Sequence, residues 1–367
     1  MRKFGLIICL VFFCNALWAE EKNYSEQFRA DSLFIESLRL KYQDDYEEAF
    51  EVLLQSAAID STSAATWYEL AHYYLLFKEN GQALTALEKS HYYQPDNQDY
   101  KSELAELYYE LQQADKAIPL YQELAQAYPG KPEYAYYFHR LKAAYLLSQG
   151  EPAKAKAEYL TLTKSDPDDI FAWMQLLQIA LKGNNSTEVY AVCDSALMQF
   201  PEVSEFYFYK GMSCLIEKKS KEALQVFTAG LAVVDEEDKV IKSSFLEQIA
   251  DLYYQQGNKK KAFEAFDQSL ENNPYNISAL NNYAYYLSLL KENLDKAERM
   301  AAEVIKQQPD NATYLDTYAW VLFQKGSYSL AKFYIESAIS KSREPSTEIL
   351  EHHKAILKAI AKAAKNN

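Results

Sequence analysis

The sequence predicts an all-α protein, an α-solenoid in which antiparallel helix pairs follow one another along the chain. Apolar residues recur at spacings of three and four, which is the periodicity of one face of a helix. Similar segments return about every 34 residues, which is typical of a repeat architecture. The chain has 9 glycines but 31 tyrosines among 367 residues, a composition that suits helices joined by short turns.

The register of the repeat is marked by a small residue that recurs in a similar context. Its positions are Ala49, Ala83, Ala117, Ala155, Val189, Ala223, Ala262, Ala297 and Ala331. The clearest unit contains Trp67, Leu70, Ala71, Tyr74, Ala83, Leu87 and Pro95. A small side chain near the start of each second helix predicts a close crossing with the first helix, and proline ends the unit because it cannot continue a helix.

This pattern resembles the tetratricopeptide repeat over about residues 30–344, in about nine units. The resemblance implies a right-handed superhelix whose first helices line a concave groove. The eighth unit carries an extra residue around Asn293. Two longer spacings, near residues 130–136 and 236–242, predict loops or extended helix ends, and we favour simple loop insertions.

The first nineteen residues have the pattern of a secretory signal peptide. Arg2 and Lys3 precede a short apolar run, and Ala19 offers a small residue at the cleavage point. The alternatives are an uncleaved N-terminal anchor or a lipid on Cys14. We therefore expect residues 1–19 to be a signal peptide, residues 20–29 to be a short N-terminal segment, and the protein to be exported to the periplasm or cell envelope of a Gram-negative bacterium.

Charge and motifs exclude several classes of function. A formal charge of −14 does not suit a general nucleic-acid binder, because phosphate neutralisation needs Lys and Arg. No segment after residue 19 has 18 uninterrupted apolar residues, so we expect no transmembrane segment in the mature chain. The sequence has no HExxH, GxxxxGK[ST], GxGxxG or GxSxG motif. It therefore predicts a protein that is not an enzyme and that has no cofactor or metal site.

The last segment, residues 345–367, predicts a helix that caps the array. Terminal repeats need a polar outer face, and Lys354, Lys358, Lys362 and Lys365 supply one. The alternative is a basic amphipathic helix that contacts a membrane or an acidic partner.

Two cysteines, Cys193 and Cys214, fall on helices that are neighbours by the repeat phase. A disulfide is open to them in an oxidising compartment. We favour the other interpretation, in which both are small apolar core residues.

The groove is the predicted functional surface, because the first helices would present aromatic, Met and acidic side chains to it. Such a groove suits an extended or helical segment of another protein. The residues that the register places there are Tyr68, His72, Tyr109, Met174, Gln178, Phe208, Met212, Asp251, Tyr254, Tyr285, Asp316, Trp320 and Phe323.

We expect the partner to be held mainly around Tyr254, Tyr285, Trp320 and Phe323. The competing interpretation is that Trp320 packs against the next helix pair and seals the end of the array. The sequence thus predicts a non-catalytic scaffold that binds a protein or peptide. The alternatives are a carbohydrate-binding protein and a self-assembling structural subunit. The tyrosine-rich stretches 282–287 and 314–320 also look like those of exported tetratricopeptide repeat proteins of Bacteroidota.

The expected cleavage can be tested on protein isolated from the cell envelope. We predict that the mature N-terminus is Glu20, because a signal peptidase cuts after the small residue that ends the apolar run. Mass spectrometry of the N-terminal peptide measures this. An intact Met1 would contradict the prediction, and a lipid on Cys14 would identify the protein as lipid-anchored.

Overall fold

The computed structural model describes residues 24–366, and within that range the chain is helical throughout, with short turns. The predicted signal peptide lies outside the described residues, as do residues 20–23. The all-α prediction is confirmed, because the helices form consecutive packed pairs. The chain divides into two compact units, Met1–Ala172 and Trp173–Asn367.

The first unit contains four helix pairs. Their helices are α1 (residues 24–42), α2 (Tyr46–Ile59), α3 (Ala64–Leu76), α4 (Asn80–Tyr93), α5 (Gln98–Glu110), α6 (Ala114–Ala127), α7 (Pro132–Ser148) and α8 (Pro152–Ser165). The unit boundary falls within α9 (Ile170–Lys182).

The second unit also consists of helix pairs and ends in a single helix, α19. The helices that follow α9 are α10 (Ser186–Ala196), α11 (Ser204–Ile216), α12 (Ser220–Val233), α13 (Lys239–Gln255), α14 (Lys259–Asn272), α15 (Ile277–Leu290), α16 (Leu294–Gln307), α17 (Ala312–Gln324), α18 (Tyr328–Lys341) and α19 (Thr347–Asn366).

The small residue that marks the repeat lies where the two helices of a pair cross. Ala83 and Ala262 are fully buried, and Val189, the one larger residue at this position, is 4% exposed. The equivalent residues of the other pairs are also fully buried: Ala49, Ala117, Ala155, Ala223, Ala297 and Ala331. The repeat phase read from the sequence is therefore confirmed.

The turn inside each pair contains a residue with a left-handed backbone. Only three of these residues are glycine, and the set follows the repeat: Asp44, Lys78, Gln112, Gly150, Asn184, Lys218, Gly257, Lys291 and Gly326. The extra residue predicted around Asn293 is accommodated in such a turn, because Asn293 itself is a second left-handed residue there, with φ 44°.

The two longer repeat spacings lengthen helices. The first helices α7 and α13 each have 17 residues, against 13 in α3, α5 and α11. Four residues make about one helical turn, so the added turn returns the chain to the same face of the helix. The structure therefore has extended helix ends in place of the loop insertions that the sequence favoured.

Both cysteines lie in the core, on the helices that the phase predicts. Cys193 lies on α10 and Cys214 on α11, and both are fully buried and free. Burial raises the pKa of the Cys193 thiol to about 12 and also raises that of Cys214. The thiols therefore remain protonated and pack as small apolar groups.

The C-terminal helix α19 packs against the last repeat. Its apolar side contributes Ile349 and Ile356, which are buried in a cluster with Leu322 of α17 and Ile335 of α18. The exposed side carries Lys354, Lys358 and Lys362.

Replacing Ala262 with Leu tests the helix crossing. Because Ala262 has no exposed surface, the added methyl groups must displace neighbouring atoms, and we expect a loss of about 1–3 kcal/mol in the free energy of unfolding. Ala157→Leu is the matched control, because Ala157 is exposed on the second helix α8. Urea unfolding followed by circular dichroism measures both, and equal midpoints for the two variants would contradict the predicted crossing.

Candidate functional site

The candidate site is the surface along which the first helices of successive pairs contact one another, here called the first-helix face. Several side chains on this face bond to a residue 31 to 36 positions further along the chain, on the next first helix or on α19. Each unit has its own stretch of this face.

In the first unit, a polar network joins α3 to α5. The hydroxyl of Tyr68 donates a hydrogen bond to Glu103, and Nε2 of His72 lies 2.8 Å from the other carboxylate oxygen of Glu103. The rings of Tyr68 and His72 meet edge to face at 4.5 Å. Glu69 lies 4.0 Å from Nδ1 of His72 and accepts a hydrogen bond of 2.6 Å from Lys41.

The two carboxylates hold His72 in its charged form. The hydrogen bond to Glu103 and the nearby charge of Glu69 raise the pKa of His72 to about 9. The charge of His72, together with the hydrogen bond from Lys41, lowers the pKa of Glu69 to about 2 despite burial. Burial alone would raise the pKa of Glu103, but its bonds with His72 and Tyr68 outweigh this and lower it. The network is therefore paired internally and stabilises the contact between α3 and α5.

Further along the first unit, the face becomes aromatic and open. Tyr109 of α5 is 39% exposed, and its ring centroid lies 6.1 Å from that of Tyr137 on α7.

In the second unit, the residues predicted on α9 and α11 have different surroundings. Met174 is half-buried and Gln178 is exposed. Phe208 packs against the buried rings of Phe227 and Phe245, with centroids 5.8 and 5.3 Å away. Met212 is half-buried against the same core cluster. Phe208 and Met212 therefore contribute to packing between helices.

The face between α13 and α15 combines two stacked tyrosines with two carboxylates. The rings of Tyr254 and Tyr286 are nearly parallel at 3.6 Å, and the hydroxyl of Tyr286 donates to Asp251. One turn before Asp251, Glu247 accepts a hydrogen bond of 3.0 Å from Asn282. Amides and a phenol thus supply the bonds to these carboxylates within the described residues.

Both carboxylates resist ionisation. Burial, and next the charge of Asp251, raise the pKa of Glu247 to about 7. Burial also raises the pKa of Asp251, although Tyr286 and Gln255 partly offset it by donating hydrogen bonds. This stretch of the face is acidic and aromatic, and a positive charge placed there would favour ionisation of both groups.

The remaining predicted residues lie beneath α19. Tyr285 of α15 donates a hydrogen bond to Glu348, and Asp316 of α17 lies 2.9 Å from Nδ1 of His352. The imidazole of His352 also stacks on Trp320 at 3.9 Å with an interplanar angle of 15°.

Phe323 completes this stack. Its ring lies against the indole of Trp320 at 4.8 Å. Trp320 on α17 therefore packs against α19, which follows the last helix pair, as the competing interpretation expected. His352 covers one face of the Trp320 ring, so that face is closed to the stacking of a sugar.

The predicted residues thus fall into separate groups. The structure brings together Tyr68 with His72, Asp251 with Tyr254 through Tyr286, and Tyr285, Asp316, Trp320 and Phe323 beneath α19. Sequence reasoning missed their partners, namely Glu103, Asn282, Tyr286, Glu348 and His352. The signal that would find most of them is an offset of 31 to 36 residues, rather than the exact repeat length of 34.

Within residues 24–366, no cluster of His, Cys, Asp and Glu has the arrangement of a metal site. Likewise, none of the described helices is both long enough and apolar enough to cross a membrane.

Comparison with known proteins identifies the family. Models of the tetratricopeptide repeat match residues 68–132 and 243–276. The photosystem I assembly protein Ycf3 of Acaryochloris marina is 32% identical over 128 residues, which cover 31% of this chain and 75% of that protein. The chain belongs to the tetratricopeptide repeat family, whose members generally mediate protein–protein interactions on a fold that is generally a non-catalytic scaffold.

Other similarities are more distant. The CTR9 homolog of Arabidopsis thaliana is 24% identical over 316 residues, and this region covers 81% of the present chain but only 27% of that relative. The solved structure of YrrB, described as a tetratricopeptide repeat protein with an unusual peptide-binding site, matches 53% of this chain and 97% of its own, with 17% identity and a TM-score of 0.42.

The charged state of His72 can be measured directly. We expect its imidazole to titrate with a pKa near 9, well above the unperturbed value of about 6.5, because the folded protein pairs it with two carboxylates. The stability that this pairing contributes is complete below pH about 6.5 and is lost as the pH rises through 9. NMR of the ring protons against pH is the measurement.

Glu103→Gln is the matched variant for this titration, because it keeps the shape of the side chain and removes its charge. It should lower the pKa of His72 and flatten the loss of stability above pH 7. A midpoint that is near 6.5 in the unsubstituted protein, or that is unchanged in the variant, would contradict the assignment.

Proposed function

We propose that the protein is a non-catalytic scaffold that binds a segment of a partner protein on its first-helix face, and that it does so in the cell envelope after export. The family supports the scaffold role. The signal-type sequence of residues 1–19 supports export.

The observation that carries the proposal is the position of α19. This helix places Glu348 and His352 against Tyr285, Asp316 and Trp320, which are three of the residues predicted to bind a partner. The face therefore offers ring contacts and directed hydrogen bonds to the side chains of an added helix. Docking of a helix in a groove is one of the common ways in which a protein recognises a segment of a partner.

In the second unit, these contacts of α19 do not involve the side chains of α13 that lie against α15. Asp251 and Tyr254 are only half-buried there. Tyrosine is common among the residues that dominate binding energy at protein interfaces, because its ring offers a large contact area and its hydroxyl can form a hydrogen bond. We therefore place the centre of partner binding at Asp251 and Tyr254.

The proposal can be tested by affinity capture from an envelope extract of the source organism. We expect the unsubstituted protein to retain a specific partner and the Tyr254→Ala variant to lose it, with a loss of about 2 kcal/mol or more in binding free energy. Tyr92→Ala is the matched control, because Tyr92 is 78% exposed on the second helix α4. The partner identified in this way is then titrated against all three proteins.

Circular dichroism must show that Tyr254→Ala remains folded, because its ring stacks on Tyr286. A partner that binds the two variants equally would place the interaction elsewhere. The absence of any protein retained above a blank column would contradict the scaffold function.

A further inference from the structure

The first unit contains a cavity of about 380 Å³ between α5, α6 and α7, on the open part of its first-helix face. Its wall includes three glutamates and four tyrosines: Glu106, Glu110, Glu133, Tyr109, Tyr121, Tyr134 and Tyr137. A volume of this size lies within the range of about 300–1,000 Å³ found for pockets that bind small groups.

The charge of the wall is negative. Glu106 and Glu110 are one turn apart on α5, Glu133 lies in the first turn of α7, and all three are exposed to solvent. No lysine or arginine is among the residues that line the cavity. The nearby pair of Lys101 and Glu123, at 2.6 Å, involves none of the three.

The aromatic part of the wall is fixed in place. The ring of Tyr137 stacks on the buried ring of Tyr121 at 5.2 Å and 27°. Burial, followed by the charge of Glu106, raises the pKa of Tyr121, so its phenol stays neutral. Tyr109 and Tyr137 are 39% and 36% exposed, which leaves part of each ring accessible from the cavity side of the helices.

Exposed tyrosine faces and exposed carboxylates together favour a cation. An ammonium or guanidinium group is attracted to the face of an aromatic ring and to carboxylates at the same time. Tyrosines of this unit already contact lysines in this way: Nζ of Lys116 lies 5.0 Å from the ring centroid of Tyr108, and Nζ of Lys131 lies 5.7 Å from that of Tyr134. Neither lysine lines the cavity.

We propose that this cavity binds a lysine or arginine side chain of the partner, so that the scaffold selects a basic segment. The proposal rests on the proposed function, and it adds the chemistry of the ligand. The aliphatic part of the ligand side chain would pack against the rings of Tyr109 and Tyr137, while its charged end would meet Glu106 and Glu110. An acidic segment would be repelled by the same carboxylates.

The probe is a fluorescent peptide, acetyl-Ala-Lys-Ala-Arg-Ala-Lys-amide, and its counterpart in which Gln replaces Lys and Arg. Fluorescence anisotropy with the full chain measures both dissociation constants. We expect the basic peptide to bind and the Gln peptide to bind at least about tenfold more weakly, since the cation provides the recognition. Failure of the full chain to bind the basic peptide in preference to the Gln peptide would overturn the proposal.

Two double variants separate the cavity from the overall negative charge. The double variant Glu106→Gln, Glu110→Gln should raise the dissociation constant of the basic peptide by about tenfold, because it removes the local carboxylates. Glu47→Gln with Glu51→Gln changes the net charge equally at exposed positions of α2, and it should change the dissociation constant less than about twofold. Equal weakening by both pairs would overturn the proposal, because the attraction would then depend on net charge alone.

Tyr137→Leu tests the aromatic contribution while keeping an apolar side chain. It should weaken binding of the basic peptide and leave binding of the Gln peptide unchanged. Unchanged binding of the basic peptide would overturn the role of the ring. The proposed function fails separately: a captured partner that depends on Tyr254 but not on Glu106 and Glu110 would support the scaffold and contradict the cation site.

Discussion

The close crossing of the two helices in each pair is the contact on which the rest of the structure depends. It requires a very small side chain on one helix wherever the other brings a large one. Gly211 shows how narrow the crossing is, because a Cβ atom there would lie 2.5 Å from the ring of Phe227. Gly230 is placed in the same way against the ring of Phe245 on the next first helix. Paired small and large side chains of this kind allow the helices to approach closely although the residues differ between pairs.

The geometry of the crossing also determines which side chains of each first helix contact the next first helix. Because the helices repeat at a nearly constant spacing, a side chain such as His72 meets a residue about one repeat further on, here Glu103. Each polar contact on the first-helix face is therefore shared by two repeats and stabilises their junction. Where the charged side chains are fully paired with one another, as at His72, this part of the face stabilises the junction between repeats. Where carboxylates lack a cationic partner among the described residues, as at Glu247, the face can recognise a charged ligand.

The fold was predictable because its determinants are local and periodic. The buried alanines, such as Ala83 and Ala262, follow a simple count along the chain. The spacing between the marker alanines could not distinguish a loop from a longer helix near residues 236–242, because a few extra residues suit either, and the structure has an additional turn in α13. The candidate site was predictable only in part, because a register places Trp320 on a helix but does not reveal that His352 stacks on its ring.

Because α19 contacts only part of the first-helix face of the second unit, a partner would need more free energy to bind at some of its residues than at others. A partner that binds at Trp320 must first replace the stacking of His352 and its bond to Asp316, and both His352 and Asp316 are nearly fully buried. Leaving Asp316 buried without a partner costs more than an exposed contact returns. At Tyr254 no such contact has to be broken, since its partner Tyr286 belongs to the same repeat array and stays in place. The free energy of binding is therefore more favourable between α13 and α15 than at the residues that α19 contacts, although the latter are the more aromatic.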